Sequence, residues 1–200
     1  MNTDRREFLK KTGLLGAALA LNPLHSRGSF NENPPMPPSG SEGMDADEVE
    51  AVILQTTDVH CQIHPHDELF WEDGQMVFRK TGGYANLATC LKTERALHEQ
   101  SFLIDTGDMF QGSELAVKTT GEAMIPILNA LDYDLYLPGN WEVVYYKKMM
   151  QRLLGSLHAP KVCANMYHDL GDGKRGELVF PAYHIWTIGR IKIGFLGYTD

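Results

Sequence analysis

The chain has 200 residues, of which 43% are hydrophobic and 22% are charged, an ordinary composition for a soluble globular protein. Its formal net charge is −8, and no cluster of Lys and Arg follows the first dozen residues, which argues against a nucleic-acid partner. If the substrate is a small anion, bound cations rather than the overall charge of the protein must attract it.

The first 21 residues have the order of a twin-arginine export signal. Arg5 and Arg6 are followed by Phe8, Leu9 and Lys10, then by a short apolar run that ends with a small-x-small cleavage site at residues 18–20. The apolar run is too short to span a bilayer, and no Cys follows it, so we expect no stable membrane anchor. We therefore predict export by the twin-arginine machinery to the periplasm or the extracellular space; a chance basic helix is the alternative.

Residues 22–47 are rich in Pro, Gly, Ser and Asn, a composition that cannot bury apolar area and that is typical of a flexible linker. The folded part is therefore predicted to cover residues 48–200, enough for one domain with a core. Cys61, Cys90 and Cys163 are widely spaced and odd in number, which favours mostly buried thiols over a disulfide framework.

The folded part alternates between strand and helix patterns along the chain. Strands are predicted over residues 49–58, 101–108, 133–140 and 159–166, and helices over 84–97, 122–131 and 143–154, with Pro126 in the first turn of its helix or kinking it. The acidic stretch 66–74 is interpreted as a solvated turn, and two final strands form a hairpin through Gly189 and Arg190. Alternation of this kind predicts a layered α/β domain.

Polar side chains follow three of the predicted strands: Asp58 with His60, then Asp108, then Asn140. Since the carboxyl ends of parallel strands meet at one edge of a sheet, we expect these groups to converge. Asp58 and His60 are two residues apart, which places them on the same side of an extended chain. A carboxylate can bridge two cations, and this mixture of oxygen and nitrogen ligands suits Mn, Zn, Fe or Mg. Each group alone is more often a surface pair, a turn residue or a helix cap.

The segments "TTDVHCQ", "LIDTGDMFQGS" and "LPGNWE" resemble, in this order, the motifs of the calcineurin-like metallophosphoesterases, and most of all their 5′-nucleotidase-like branch. The helix "TGGYANLATCLKTER" and the closing "IKIGFLGYTD" are also similar to that branch, so the resemblance runs from about Val49 to Asp200. It implies a layered β-sandwich flanked by helices.

The resemblance also implies two divalent metal ions, with Mn, Zn or Fe as candidates. Asp58 and His60 would bind the first ion, Asp108 would bridge, and Asn140 would bind the second. A hydroxide held between the ions would attack the phosphorus of a small anionic substrate such as a nucleotide. Gly112 and Ser113 would shape the loop after Asp108 without direct chemistry.

Two positions depart from the family pattern. Trp141 and Val144 occupy the places where relatives carry a catalytic His and the acid that holds it, and an indole cannot shuttle a proton near neutral pH. Trp141 would either stack on or wall off a substrate, or simply pack beneath the loop. Relatives also take further ligands from a His and a His-x-His or His-x-Gln segment, and neither His158 nor His184 stands in such a motif. We therefore expect residues 48–200 to be the N-terminal part of a longer catalytic domain, incomplete at its C-terminus and inactive alone.

The leading hypothesis is an exported dinuclear phosphoesterase of the 5′-nucleotidase type. The first alternative is a thiosulfohydrolase-like enzyme of periplasmic sulfur oxidation, since a Trp in place of the catalytic His suits a leaving group that needs no proton. The second is a degenerate module that binds metal without turnover.

Overall fold

The computed structural model describes residues 49–200. The predicted export signal (1–21) and linker (22–47) lie outside the described residues. The strands are β1 Val52–Thr56, β2 His66–Glu72, β3 Gln75–Thr81, β4 Ser101–Asp105, β5 Leu135–Tyr136, β6 Tyr167–Asp169, β7 Arg175–Leu178, β8 Tyr183–Ile188 and β9 Ile191–Leu196. The α-helices are α1 Tyr84–Leu97, α2 Glu114–Thr119, α3 Ile125–Leu131 and α4 Tyr146–Gly155, and short 3-10 helices cover Glu122–Met124 and Asn140–Val143.

A three-stranded parallel sheet in the order β1-β4-β5 lies at the centre of the described chain. Val52 pairs with Ser101, and Ile104 pairs with Leu135, so the three strands end at a common edge. Alternate residues of β4 point to opposite faces, and Leu103 and Asp105 are buried in the core. Parallel strands joined through helices confirm the predicted α/β class.

The β8–β9 hairpin forms a second layer against this sheet. It turns at Gly189, whose φ of 56° lies in the left-handed region that glycine tolerates. Trp186 of β8 stacks on Phe102 of β4, with ring centroids 4.0 Å apart and planes 20° from parallel. The hairpin thus covers the face of the sheet opposite to the one that buries Leu103. His184 lies within β8, as predicted, with its ring against Trp186.

Of the three predicted helices, one keeps its bounds, whereas 122–131 divides into the 3-10 helix Glu122–Met124 and α3, and 143–154 is replaced by α4, Tyr146–Gly155. Helix α1 matches its predicted bounds and buries Leu91. Pro126 lies in the first turn of α3, where its missing N–H leaves no hydrogen bond unmade. The short helix α2 is not predicted from the sequence; Ser113 caps it by accepting a hydrogen bond from the Ala116 N–H over 3.2 Å.

The predicted solvated turn at 66–74 is wrong, because β2 and β3 form a hairpin there. Asp73 and Gly74 make its tight turn with φ values of 49° and 75°. The hairpin carries charged residues on an exposed ladder, including the Asp67–Lys80 pair at 3.0 Å, and these charges conceal its strand character.

The predicted strand at 159–166 is also wrong. Lys161 alone bridges to Tyr136 of β5. The next amides bond to three separate segments: Val162 to the Tyr136 carbonyl, Cys163 to that of Pro181, and Ala164 to that of Gly197. In a ladder, amides two residues apart bond to the same neighbouring strand, whereas Val162 and Ala164 bond to different segments, so no continuous ladder forms.

Within residues 49–200, no helix combines the length and the apolar character needed to cross a membrane. The cysteines are unpaired thiols, with Cys61 and Cys163 buried and Cys90 exposed, so burial agrees with the prediction for two of the three.

Candidate metal centre

Three loops meet at the carboxyl edge of the parallel sheet. The loop after β1 is joined to the loop after β4 by two backbone hydrogen bonds, from the Asp58 N–H to the Gly107 carbonyl and from the His60 N–H to the Asp108 carbonyl, each 3.0 Å long. The structure thereby brings Asp58, His60 and Asp108 together, with one candidate ligand atom from each within 4.8 Å of the others. Asp58 Oδ1 and His60 Nε2 lie 4.0 Å apart.

The backbone that presents these groups is not extended, contrary to the sequence argument. Asp58, His60 and Asp108 have φ values of 53°, 50° and 62°, in the left-handed region that non-glycine residues seldom adopt. Strand β1 ends at Thr56, so Asp58 and His60 converge through a tight turn rather than through strand alternation. Backbone conformations of this kind persist only where surrounding contacts hold them, and they concentrate at functional sites.

The His60 ring is oriented by the loop after β4. Its Nδ1 lies 3.0 Å from the Gln111 carbonyl, to which it donates in the neutral tautomer. This contact leaves Nε2 with its lone pair toward the two carboxylates, the tautomer that a metal requires. Gly112 makes the approach possible, since a Cβ there would lie 2.6 Å from His60 Cβ and its φ is 132°. The predicted loop-shaping role of Gly112 thus has a direct steric basis.

The loop after β5 contributes Gly139, Asn140 and Trp141. The Trp141 N–H donates to Asp108 Oδ1 over 2.8 Å, which places the start of this loop against the second carboxylate. A Cβ on Gly139 would lie 2.2 Å from the same oxygen, so glycine is required by space rather than by φ. Asn140 is exposed and begins the 3-10 helix; its role as a ligand stays a prediction.

The Trp141 side chain borders the cluster. Its ring centroid lies 5.8 Å from that of His60 with the planes at 87°, an edge-to-face contact, and the residue is 41% exposed. An indole in this position contributes an apolar wall and one N–H donor to the site, and no group that exchanges protons near neutral pH.

Sequence reasoning missed two buried carboxylates beneath the cluster. The first is Asp105 at the end of β4, which accepts hydrogen bonds from the Thr56 hydroxyl and, over 2.8 Å, from the Gly107 N–H. The Thr56 hydroxyl also lies 2.7 Å from the Tyr133 hydroxyl. Burial raises the pKa of Asp105 to about 8, and the two hydrogen bonds oppose that shift. An acidic residue that closes the apolar run "SFLID" is the signal that could have identified it.

The second is Glu142 of the 3-10 helix, which is 1% exposed. Its carboxylate accepts from the N–H groups of Asp108 (3.0 Å) and Met109 (2.9 Å) and from the Tyr136 hydroxyl (2.9 Å). Burial raises the pKa of Glu142, and these three hydrogen bonds lower it in part. In the sequence, the only signal that could have identified Glu142 is its place directly after Asn140 and Trp141.

The other histidines of the described chain have different surroundings. His66 lies in β2 beside Glu68 at 3.3 Å, His98 lies 3.7 Å from Glu50, and His168 and His184 lie in strands β6 and β8. His64 and His158 are exposed. The group of three potential ligands found in residues 49–200 is Asp58, His60 and Asp108.

The donor set fits a divalent cation. Two carboxylates and an imidazole, with no thiolate among the three, are the ligands that Mn²⁺, Zn²⁺ and Fe²⁺ accept. The outer contacts fit as well, because Gln111 orients the imidazole and the Trp141 amide orients a carboxylate oxygen.

Comparison with known families agrees with this geometry. The model of the calcineurin-like phosphoesterases matches residues 51–196. The chain belongs to this family. Its members use divalent metals, so Asp58, His60 and Asp108 form a candidate ligand group for such ions.

Relatives and solved structures add detail. The chain is 29% identical to the 5′-nucleotidase of Bos taurus over 154 residues, which is 76% of this chain and 26% of the relative. It is 27% identical to the trifunctional nucleotide phosphoesterase YfkN of Bacillus subtilis, over 82% of this chain and 12% of that protein. The fold matches the NAD nucleotidase of Haemophilus influenzae (TM-score 0.68, 24% identity, 76% of this chain and 30% of the other). It also matches a sulfate thiohydrolase of Thermus thermophilus (TM-score 0.64, 22% identity, 74% and 35%). The chain thus spans about a quarter of the bovine relative's length.

Proposed function

We propose that this chain carries part of the active site of a dinuclear, divalent-metal-dependent phosphoesterase that acts on nucleotides or similar small phosphate esters. The observation that carries the proposal is the convergence of Asp58, His60 and Asp108 within 4.8 Å at the carboxyl edge of a parallel sheet. Family membership and the similarity to 5′-nucleotidases support the choice of a phosphate ester.

Each residue has a distinct task in this proposal. Asp58 and His60 would hold one cation, Asp108 would be shared with a second, and Asn140 would contribute to the second. When bound, the cations neutralise charge on the phosphoryl oxygens and activate water as the nucleophile. The protein orients these ligands through its own contacts, since the Gln111 carbonyl fixes the His60 ring and the Trp141 N–H occupies one oxygen of Asp108. Mn²⁺, Zn²⁺ and Fe²⁺ are the candidate ions.

Trp141 favours a second candidate, a thiosulfohydrolase-like reaction that releases sulfate. The indole lies edge-on to His60, beside the proposed cation site, and it cannot protonate a departing alkoxide. General acid–base assistance is typically worth about 10²–10⁴-fold in rate, so an enzyme without it performs best on a leaving group that departs unprotonated. Both a sulfur leaving group and an activated phosphate ester satisfy that condition.

Residues 1–21 support the proposal that the protein is exported by the twin-arginine machinery to the periplasm or beyond. Residues 22–47 then serve as a linker to the catalytic domain that starts near residue 48. Twin-arginine export carries folded proteins, which suits an enzyme that loads its metal before export.

The test uses the full-length protein, stripped of metal and reloaded with Mn²⁺ or Zn²⁺. We expect phosphate release from nucleotides or an aryl phosphate, compared in parallel with sulfate release from a thiosulfonate conjugate. Asp108→Asn should reduce the observed activity by at least about 100-fold, since it removes a shared anionic ligand. Asp172→Asn is the matched control, because Asp172 is an exposed residue of the β6–β7 turn with a similar φ of 51°.

Three outcomes discriminate among the hypotheses. Sulfate release without phosphate release selects the second candidate. Bound metal without hydrolysis of any ester selects a binding module without turnover. Activity that survives Asp108→Asn excludes the shared role of Asp108.

A further inference from the structure

The loop that supplies Asp108 and the loop that supplies Asn140 are joined by hydrogen bonds in both directions. In each direction, a carboxylate of one loop accepts from backbone N–H groups of the other. Glu142 accepts the N–H groups of Asp108 and Met109, 34 and 33 residues earlier in the chain. Asp108 in turn accepts the N–H of Trp141. Each loop therefore holds the other, and the candidate ligand Asp108 takes part in this exchange with both its carboxylate and its backbone N–H.

The backbones of the two loops are in direct contact, so neither loop can move far relative to the other. A Cβ on Gly107 would lie 2.0 Å from the Gly139 nitrogen, and one on Gly139 would lie 2.7 Å from the Asp108 nitrogen. At such separations a small rotation of one loop displaces the other. Glu142 contributes two oxygens on a single rigid group, which fixes two consecutive amides at once.

A residue that only fills space in the core would be more favourable as an apolar side chain than as a carboxylate. Glu142 is 1% exposed, and its three recorded hydrogen-bond partners, two amides and a phenol, are all neutral. Burying a carboxylate is unfavourable unless its hydrogen bonds compensate for the lost hydration. The Asp108 and Met109 amides each follow a residue with positive φ and lie beyond the end of β4, so they need an acceptor outside the sheet, and Glu142 provides it.

We infer that Glu142 is a positioning residue for the metal centre: it holds the Asp108 main chain and the Asn140–Trp141 turn at the separation that lets both loops reach the same ions. The inference rests on the proposed function only in assuming that Asp108 binds metal. It requires no particular ester and no particular cation.

Glu142→Gln tests this role with little change in volume. One oxygen becomes an NH₂ group, which must face the N–H of Asp108 or of Met109 and cannot accept from it. We expect the affinity of the full-length protein for Mn²⁺, measured by the EPR signal of the free ion, to fall by about 10- to 100-fold. Hydrolysis, where present, should fall at limiting Mn²⁺ and recover substantially at saturating Mn²⁺, because the ligands themselves are intact.

Glu177→Gln is the matched control, since Glu177 is exposed in β7 and the same substitution there should leave Mn²⁺ affinity unchanged. Tyr136→Phe provides a milder variant that removes one of the three donors to Glu142. We expect it to fold and to weaken Mn²⁺ binding by about 2- to 10-fold. If Glu142→Gln does not fold, the Mn²⁺ affinity of Tyr136→Phe tests the positioning role of Glu142.

The inference is overturned if Glu142→Gln folds and binds Mn²⁺ with wild-type affinity. If Glu142→Gln is not soluble, wild-type affinity in folded Tyr136→Phe overturns it instead. In either case Glu142 is a packing residue. Failure of the proposed function looks different. If the wild-type protein binds Mn²⁺ but hydrolyses nothing, the affinity series still tests Glu142. If Asp108→Asn binds Mn²⁺ as well as the wild type, Asp108 is not a ligand and both proposals fail.

Discussion

The loops after β1, β4 and β5 form the candidate metal centre, and the β2–β3 hairpin lies outside it. The two regions differ in what holds them together. The site loops bury Asp105, Asp108 and Glu142 and are joined by hydrogen bonds between residues far apart in the chain. The hairpin is held mainly by its own cross-strand pairs, and its large apolar side chains remain exposed, among them Trp71, Met76 and Phe78.

This difference shows where the stability of the described chain resides. The site loops bury carboxylates with fixed partners, whereas the hairpin leaves large apolar side chains exposed. A ligand-binding edge needs buried polar groups with fixed partners, whereas a hairpin with local pairing can carry any side chain that tolerates a strand. The same substitution made in both regions should therefore have very different consequences.

The largest difference is expected for Phe→Ala. Phe110, two residues after Asp108, is 1% exposed and packs against Tyr136, whereas Phe78 of β3 is 68% exposed. Phe110→Ala should lower the free energy of unfolding by about 3–5 kcal/mol through lost burial and a cavity. Phe78→Ala should cost less than about 1 kcal/mol. Urea unfolding of both variants measures the comparison, and equal losses would mean that the hairpin is covered in solution.

A second difference is expected for Gly→Ala. Gly107 and Gly74 both have positive φ, 97° and 75°, but a Cβ on Gly107 meets the Gly139 backbone at 2.0 Å, whereas nothing lies within 4 Å of one on Gly74. Gly74→Ala should cost about 1–2 kcal/mol from backbone conformation alone. Gly107→Ala should cost about 1–3 kcal/mol more, because the site loops must separate. Denaturant midpoints at constant m-value measure this, and similar costs at the two positions would contradict the close contact of the loops.

The α/β class and the convergence of Asp58, His60 and Asp108 could be predicted, because they depend on local pattern and on the rule that parallel strands end together. The left-handed backbone of Asp58 and His60 could not, because it is held by hydrogen bonds that their N–H groups donate to carbonyls about 50 positions later. Burial of Glu142 could not be predicted for the same reason, since two of its three hydrogen-bond donors lie in the loop after β4, more than 30 residues earlier. In the hairpin, charges on a two-sided exposed ladder concealed the alternation on which strand prediction depends.

A third effect, smallest when counted per pH unit, concerns the pH dependence of stability. Burial raises the pKa of Asp105 to about 8, above its value in the unfolded chain of about 3.9. Between these values the folded chain keeps a proton that the unfolded chain has released. The metal-free protein should therefore be most stable toward the acid end of this window, and it should lose about 1 kcal/mol per unit as the pH rises from about 5 to about 8.

Asp105→Asn should flatten this slope, because asparagine cannot ionise and can still accept from the Gly107 N–H. Asp67→Asn is the hairpin control and should leave the slope as in the wild type, since its carboxylate is exposed in a surface ion pair. Urea unfolding at pH 5, 6, 7 and 8 in the presence of a chelator provides the data. A flat wild-type profile that Asp105→Asn leaves unchanged would mean that Asp105 is ionised in the folded protein. The hydrogen bonds from Thr56 and Gly107 would then outweigh the cost of its burial, and the charge beneath the metal centre would be one unit more negative.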